Sequence, residues 1–123
     1  MAVSQPATVI WIRRLLALGC AVVVAVMSLL PGDELARIGF KVYNDKVYHG
    51  IAYFSLAMLL ALGWPRWRLW AIWGLAFLFG AGIEVAQGMT PSRSFDVWDM
   101  VANGTGALLA LVLVQGWRCW RRR

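Results

Sequence analysis

This sequence is poor in charge and poorer still in the side chains that usually do chemistry. Only 15% of its 123 residues are charged, and it has a single histidine and two cysteines. With 61% of the residues hydrophobic, an ordinary soluble domain is excluded, because a chain of this size cannot hide that much apolar surface. The cysteines exclude a disulfide framework and a metal-ligand spacing. Cys20 falls inside an apolar run, Cys119 falls just past another, and antiparallel helices would put them at different depths. No serine or cysteine nucleophile motif is present. The net charge of +6 does not imply nucleic acid, because Arg118, Arg121, Arg122 and Arg123 follow the last apolar run, where they meet anionic headgroups.

What the chain does have is four long apolar runs, at 15–30, 47–64, 69–83 and 100–117. A spanning helix needs roughly 20 apolar residues, with about 17 tolerated. The first run reaches that length if residues 9–12 join it and Arg13 and Arg14 snorkel to the interface. The third reaches it if 84–87 lie within the helix. In lipid the backbone must satisfy its own hydrogen bonds, so the runs are expected to be helices. The fold predicted is an all-α membrane protein: one domain over 1–123, with four transmembrane helices in an antiparallel bundle at about 9–30, 47–64, 69–88 and 97–117. Arg13-Arg14 resembles the start of a secretion signal, but no small-x-small cleavage site follows, so the first helix is expected to be a retained anchor.

Charge sets the expected orientation. Four spans put both termini and the middle loop on one side, with Arg13, Arg14, Arg66, Arg68, Arg118, Arg121, Arg122 and Arg123. The other side carries Arg37, Lys41, Lys46 and Arg93, and all six carboxylates lie on it or close to it. The positive-inside rule then predicts cytoplasmic termini in a bacterial inner membrane. Trp11, Trp64, Trp67, Trp70, Trp117 and Trp120 gather at the inner end, while Tyr43, Tyr48 and Tyr53 fall toward the outer one, as interfacial belts do. In the first outer loop Leu35, Ile38 and Val42 recur at helical spacing between Glu34, Arg37 and Lys41. That pattern fits a short amphipathic helix or a solvated loop.

The remaining polar residues form stripes. Asp45, His49 and Tyr53 are four apart and continue inward through Ala57 and Ala61. Ala76, Gly80 and Glu84 are also four apart, with Gln87 one turn further. Asp96, Asp99, Asn103, Gly106 and Ala110 follow steps of three and four. Each polar stripe is collinear with small residues, which mark close helix approach, so the polar groups should point into the bundle. Two readings are open. One is a hydrogen-bonded network that pins helix register, with Glu84 accepting from His49 or Arg93. The other is a site for a polar ligand or reaction at the outer leaflet.

The ordered set Asp45-Lys46-x-x-His49-x-x-x-Tyr53, Glu84-x-x-Gln87, and Arg93-x-x-Asp96-x-x-Asp99-x-x-x-Asn103-x-x-Gly106 resembles the signature of the VanZ-like family. These are small bacterial membrane proteins named after an accessory protein of teicoplanin resistance. The resemblance covers about residues 45–110, and Gly50 departs from it where a bulky apolar residue is expected. It implies a four-helix envelope protein acting in lipid-linked precursor handling or glycopeptide tolerance, but supplies no reaction, and teicoplanin resistance itself does not carry over. A binding or accessory role would use Asp45, Lys46, Tyr53, Gln87, Arg93, Asp96 and Asn103 to hold a headgroup or a membrane partner. An enzymatic role would use His49 as acid/base, oriented by Glu84 or Asp99, with Lys46 and Arg93 on an anionic, phosphate-bearing lipid. Neither requires a cofactor. Metal ligation by His49, Glu84, Asp96 and Asp99 is not expected, because they come from three helices without a compact motif. The expected partners are membrane lipids, a lipid-linked precursor or another envelope protein, and the oligomeric state is open.

Overall fold

The computed structural model describes residues 6–39 and 44–123. Among them the chain forms five helices and no strand: α1 (Ala7–Leu29), α2 (Gly32–Arg37), α3 (Asp45–Gly63), α4 (Leu69–Gly88) and α5 (Val97–Trp120). Four of these, α1, α3, α4 and α5, are long and apolar enough to cross a membrane. Glu84 and Gln87 do lie within α4, which gives the third run its length.

The helix ends follow local chemistry. Pro31 has no amide proton to continue α1, and Leu30 before it is extended. Asn44 caps α3 by accepting from the Val47 amide, and Asp96 caps α5 by accepting from the Trp98 amide at 2.8 Å. The amphipathic loop helix is shorter than its pattern. It ends at Arg37, and Gly39 then takes a φ of +83°, a common way to stop a helix. Leu35 is buried while Ile38 is exposed, and Lys41 and Val42 lie outside the described residues.

Helix α3 is central and packs on α1, α4 and α5, with its most extensive contact to α5. Helices α3 and α5 run in the same direction, since Lys46 meets Asp96 and His49 meets Asn103 at their N-terminal ends. Helix α1 runs against α3: Arg14 Nε donates to the Gly63 carbonyl at 3.1 Å. Helix α4 likewise brings its C-terminal end to the start of α5.

The burial pattern inverts that of a soluble protein. Leu15, Val22, Leu78, Leu108, Val112 and other large apolar side chains are exposed. The interior holds Ala17, Ala57, Ala61, Ala76, Ala107 and Ala110, together with His49, Glu84, Gln87, Asp99 and Asn103. A surface this apolar over a small-residue, polar interior suits a lipid solvent, where helices associate by close packing rather than by hiding large side chains from water. Helices α3 and α5 approach closely, so that a Cβ added to Gly106 would fall on the backbone carbonyl of Gly50.

The two ends of the bundle differ in charge. At one end Arg14 sits over the Trp11 and Trp64 rings at 5.0 and 5.2 Å, and Arg118 donates to the Pro65 carbonyl. The carboxylates of α3, α4 and α5 meet at the other.

Candidate functional site

At the carboxylate end, α3 and α5 supply most of one polar cluster. Lys46 Nζ donates to Asp96 Oδ2 at 2.8 Å and to Asp99 Oδ1 at 3.1 Å. Asp99 is buried, so its other oxygen, Oδ2, is held near His49 Nε2 at 3.5 Å. Asp45, one turn before His49, brings its Oδ1 to 3.8 Å from the same nitrogen. The other ring nitrogen, Nδ1, lies 2.9 Å from Asn103 Oδ1. A carbonyl oxygen only accepts, so Nδ1 carries the proton and donates. The Lys46 ammonium and, after it, the Trp98 amide hold the Asp96 carboxyl below its usual range.

The partners are not all those that spacing suggests. Glu84 accepts from neither His49 nor Arg93: its Oε2 takes the Asp96 backbone amide at 3.3 Å, and its buried Oε1 has no hydrogen-bond partner among the described residues. The buried Tyr53 hydroxyl likewise has none. Arg93 meets no carboxylate among the described residues. Its Nε and Nη2 both donate to the Leu30 carbonyl, at 3.2 and 2.9 Å, and Gln87 donates to the Ser28 carbonyl at 2.6 Å. These two side chains satisfy carbonyls that α1 leaves open at its C-terminus, where a cation is also favoured by the helix dipole. Lys46, expected at the rim, is shared between Asp96 and Asp99.

Beside the cluster lies a cavity of about 230 Å³ between α1 and α3. Val23, Val24 and Met27 of α1 and Ile51 and Ala52 of α3 form an apolar wall. Asp45, His49, Tyr53, Gln87 and Arg93 form a polar end. Val23 and Ile51 are themselves exposed, so the cavity opens through the apolar surface of the bundle. Sequence reasoning missed the contribution of α1, because its part is played by backbone carbonyls and plain apolar side chains. Pro31 was the available signal: it forces the helix to stop and leaves carbonyls needing donors.

An all-helical chain with four apolar spans and a buried polar cluster is a multi-pass membrane protein. A family model described as VanZ/LLP1 matches residues 4–118, and the chain belongs to that family. The match takes in α1 as well as the polar segments. No curated protein and no solved structure matches the chain.

Proposed function

We propose that the protein binds an envelope lipid, in a binding or accessory role, with its polar site facing the outer leaflet of the bacterial inner membrane. The observation that carries this reading is the cavity, apolar along α1 and α3 and polar at one end. That is the shape of an amphiphile. At about 230 Å³ it is smaller than a pocket that encloses a drug-sized ligand, roughly 300 Å³ upward, so only the head and the first part of a chain would enter it. The rest of the chain would lie in the bilayer beyond Val23 and Ile51.

Arg93 is the natural headgroup contact. Two of its nitrogens are fixed on Leu30, which pre-orients the guanidinium and leaves Nη1 for a phosphate oxygen. A phosphate-bearing polyprenyl lipid, the carrier of envelope precursors, has this chemistry. The outward orientation is supported by the excess of arginine at the opposite end of the bundle.

Native mass spectrometry of the detergent-released protein tests the reading. The wild type should retain a phosphate-bearing lipid. Arg93→Ala should lower its occupancy about tenfold, the equivalent of ~1.4 kcal/mol. Because Arg93 also caps α1, Ala52→Phe is the companion variant: it fills the cavity wall without touching the polar end, and should expel the lipid as well. A wild type that carries no lipid, or lipid retained by both variants, would refute the proposal.

A further inference from the structure

We infer that Asp45, His49 and Asp99 form a site for one divalent transition-metal ion, zinc or manganese, at the polar end of the cavity. The inference goes beyond the lipid reading and stands without it.

His49 Nδ1 donates to Asn103, so a neutral ring presents a lone pair at Nε2. That lone pair faces Asp99 Oδ2 at 3.5 Å and Asp45 Oδ1 at 3.8 Å. Both distances lie beyond the range of an N–H···O bond, roughly 2.7–3.2 Å. The side chain is buried, and no described donor reaches Nε2. Three potential ligand atoms on three side chains thus face one another, and a bound cation would sit among them. The three potential ligand atoms lie within 4.8 Å of one another. Tetrahedral ligands on a zinc ion, at about 2.0–2.2 Å each, would be roughly 3.4 Å apart. Closing the remainder needs only rotation of Asp45, whose side chain is 42% exposed at the start of α3.

The surroundings resemble those of a metal centre. The non-ligating nitrogen of His49 is fixed by a hydrogen bond, and the non-ligating oxygen of Asp99 is fixed by Lys46. Such outer contacts orient ligands and set their basicity. Charge points the same way. Among the described residues Lys46 is the only lysine or arginine bonded to Asp96 and Asp99, and neither a lysine nor an arginine pairs with Asp45, which has the His49 ring beside it. Three carboxylates against one lysine leave the group at about −2 before the ring is counted, which a divalent ion cancels. Mixed imidazole and carboxylate ligation suits zinc or manganese better than calcium or magnesium. Asp45 and His49 also line the cavity, so an ion there would keep open positions toward it.

The test uses the metal alone. Tag-free protein in detergent is stripped with chelator and titrated with Zn²⁺, and separately with Mn²⁺, by calorimetry, and bound metal is counted by mass spectrometry. One ion per chain is expected. Asp45→Asn should weaken binding by at least about tenfold with unchanged helical circular dichroism, and His49→Ala should abolish it. No saturable binding would overturn the inference. So would binding unaffected by Asp45→Asn, or binding lost instead in Cys119→Ser. Nitrogen NMR showing His49 protonated at both nitrogens under saturating metal would overturn it too, because a proton would then occupy the position.

Discussion

Gly106→Ala is expected to prevent assembly of the native bundle, whereas Gly50→Ala is expected to leave it intact. The two glycines face each other where α3 and α5 cross, but their demands are unequal. A Cβ at Gly106 would overlap the Gly50 carbonyl, its carbon and its Cα, all of them backbone atoms that cannot rotate aside. A Cβ at Gly50 would stand 3.9 Å from the Ala102 carbonyl oxygen, an ordinary contact. Overpacking a core typically costs about 1–3 kcal/mol where side chains can yield. Here only separation of the helices relieves the overlap, so the cost should reach or exceed the top of that range. It should also pull His49 away from Asn103 one turn further along. Thermal unfolding in detergent, followed by fluorescence-detected size exclusion, should show a large loss of monodisperse protein for Gly106→Ala and a near-native midpoint for Gly50→Ala. Equal midpoints would mean that the crossing is looser than described.

The second large effect concerns the shared lysine. Lys46→Met leaves the buried Asp99 carboxylate without its cation, while Asp99→Asn removes the charge that needed one. Hydrogen bonds to charged groups contribute about 1.5–3 kcal/mol, and an uncompensated buried charge costs at the upper end of that range or beyond. Lys46→Met alone should therefore lower the unfolding midpoint clearly, and adding Asp99→Asn should restore part of the loss. Unfolding of the two single variants and the double variant in mixed micelles gives the coupling. Independent sites would add to within about 0.3–0.5 kcal/mol, and additivity of that kind would remove Lys46 from the structural account.

The helical architecture was legible in the sequence for a simple reason. Apolar length alone identifies a span, and four-residue spacing identifies the face that turns inward. Tyr53, Ala57 and Ala61, then Ala76, Gly80 and Glu84, then Asp99, Asn103, Gly106 and Ala110 are all buried. Spacing along one helix, however, carries no information about the offset between helices. Glu84 was expected beside His49 or Arg93, yet it reaches the start of α5 and binds the Asp96 amide. Arg93 was expected near a carboxylate and is held by a carbonyl at the end of α1. Backbone acceptors have no sequence signature, and the arginine's preference for an anion yields to carbonyls that the bilayer leaves unsolvated. The compact Asp45–His49–Asp99 group was hidden for the same reason: it exists only because α3 and α5 run side by side at the distance that Gly106 permits.

Gly50 shows how a local departure can be reconciled with its context. A bulky side chain was expected there, but the structure gives the residue a backbone role, with its carbonyl as the surface on which Gly106 packs. The partner of that contact, Gly106, has no room for a side chain against the Gly50 backbone.

An outer-leaflet site requires the polar cluster to face away from the cytoplasm. Ser92 is exposed in the loop before α5, close in sequence to Arg93, and the native Cys119 is exposed at the arginine-rich end of the bundle. In a Cys20→Ala background, right-side-out membrane vesicles would be treated with an impermeant maleimide. Ser92→Cys should be labelled at once, and Cys119 only after the membrane is opened. Labelling of Cys119 from outside, with Ser92→Cys protected, would place the cluster in the cytoplasm and contradict an outer-leaflet site.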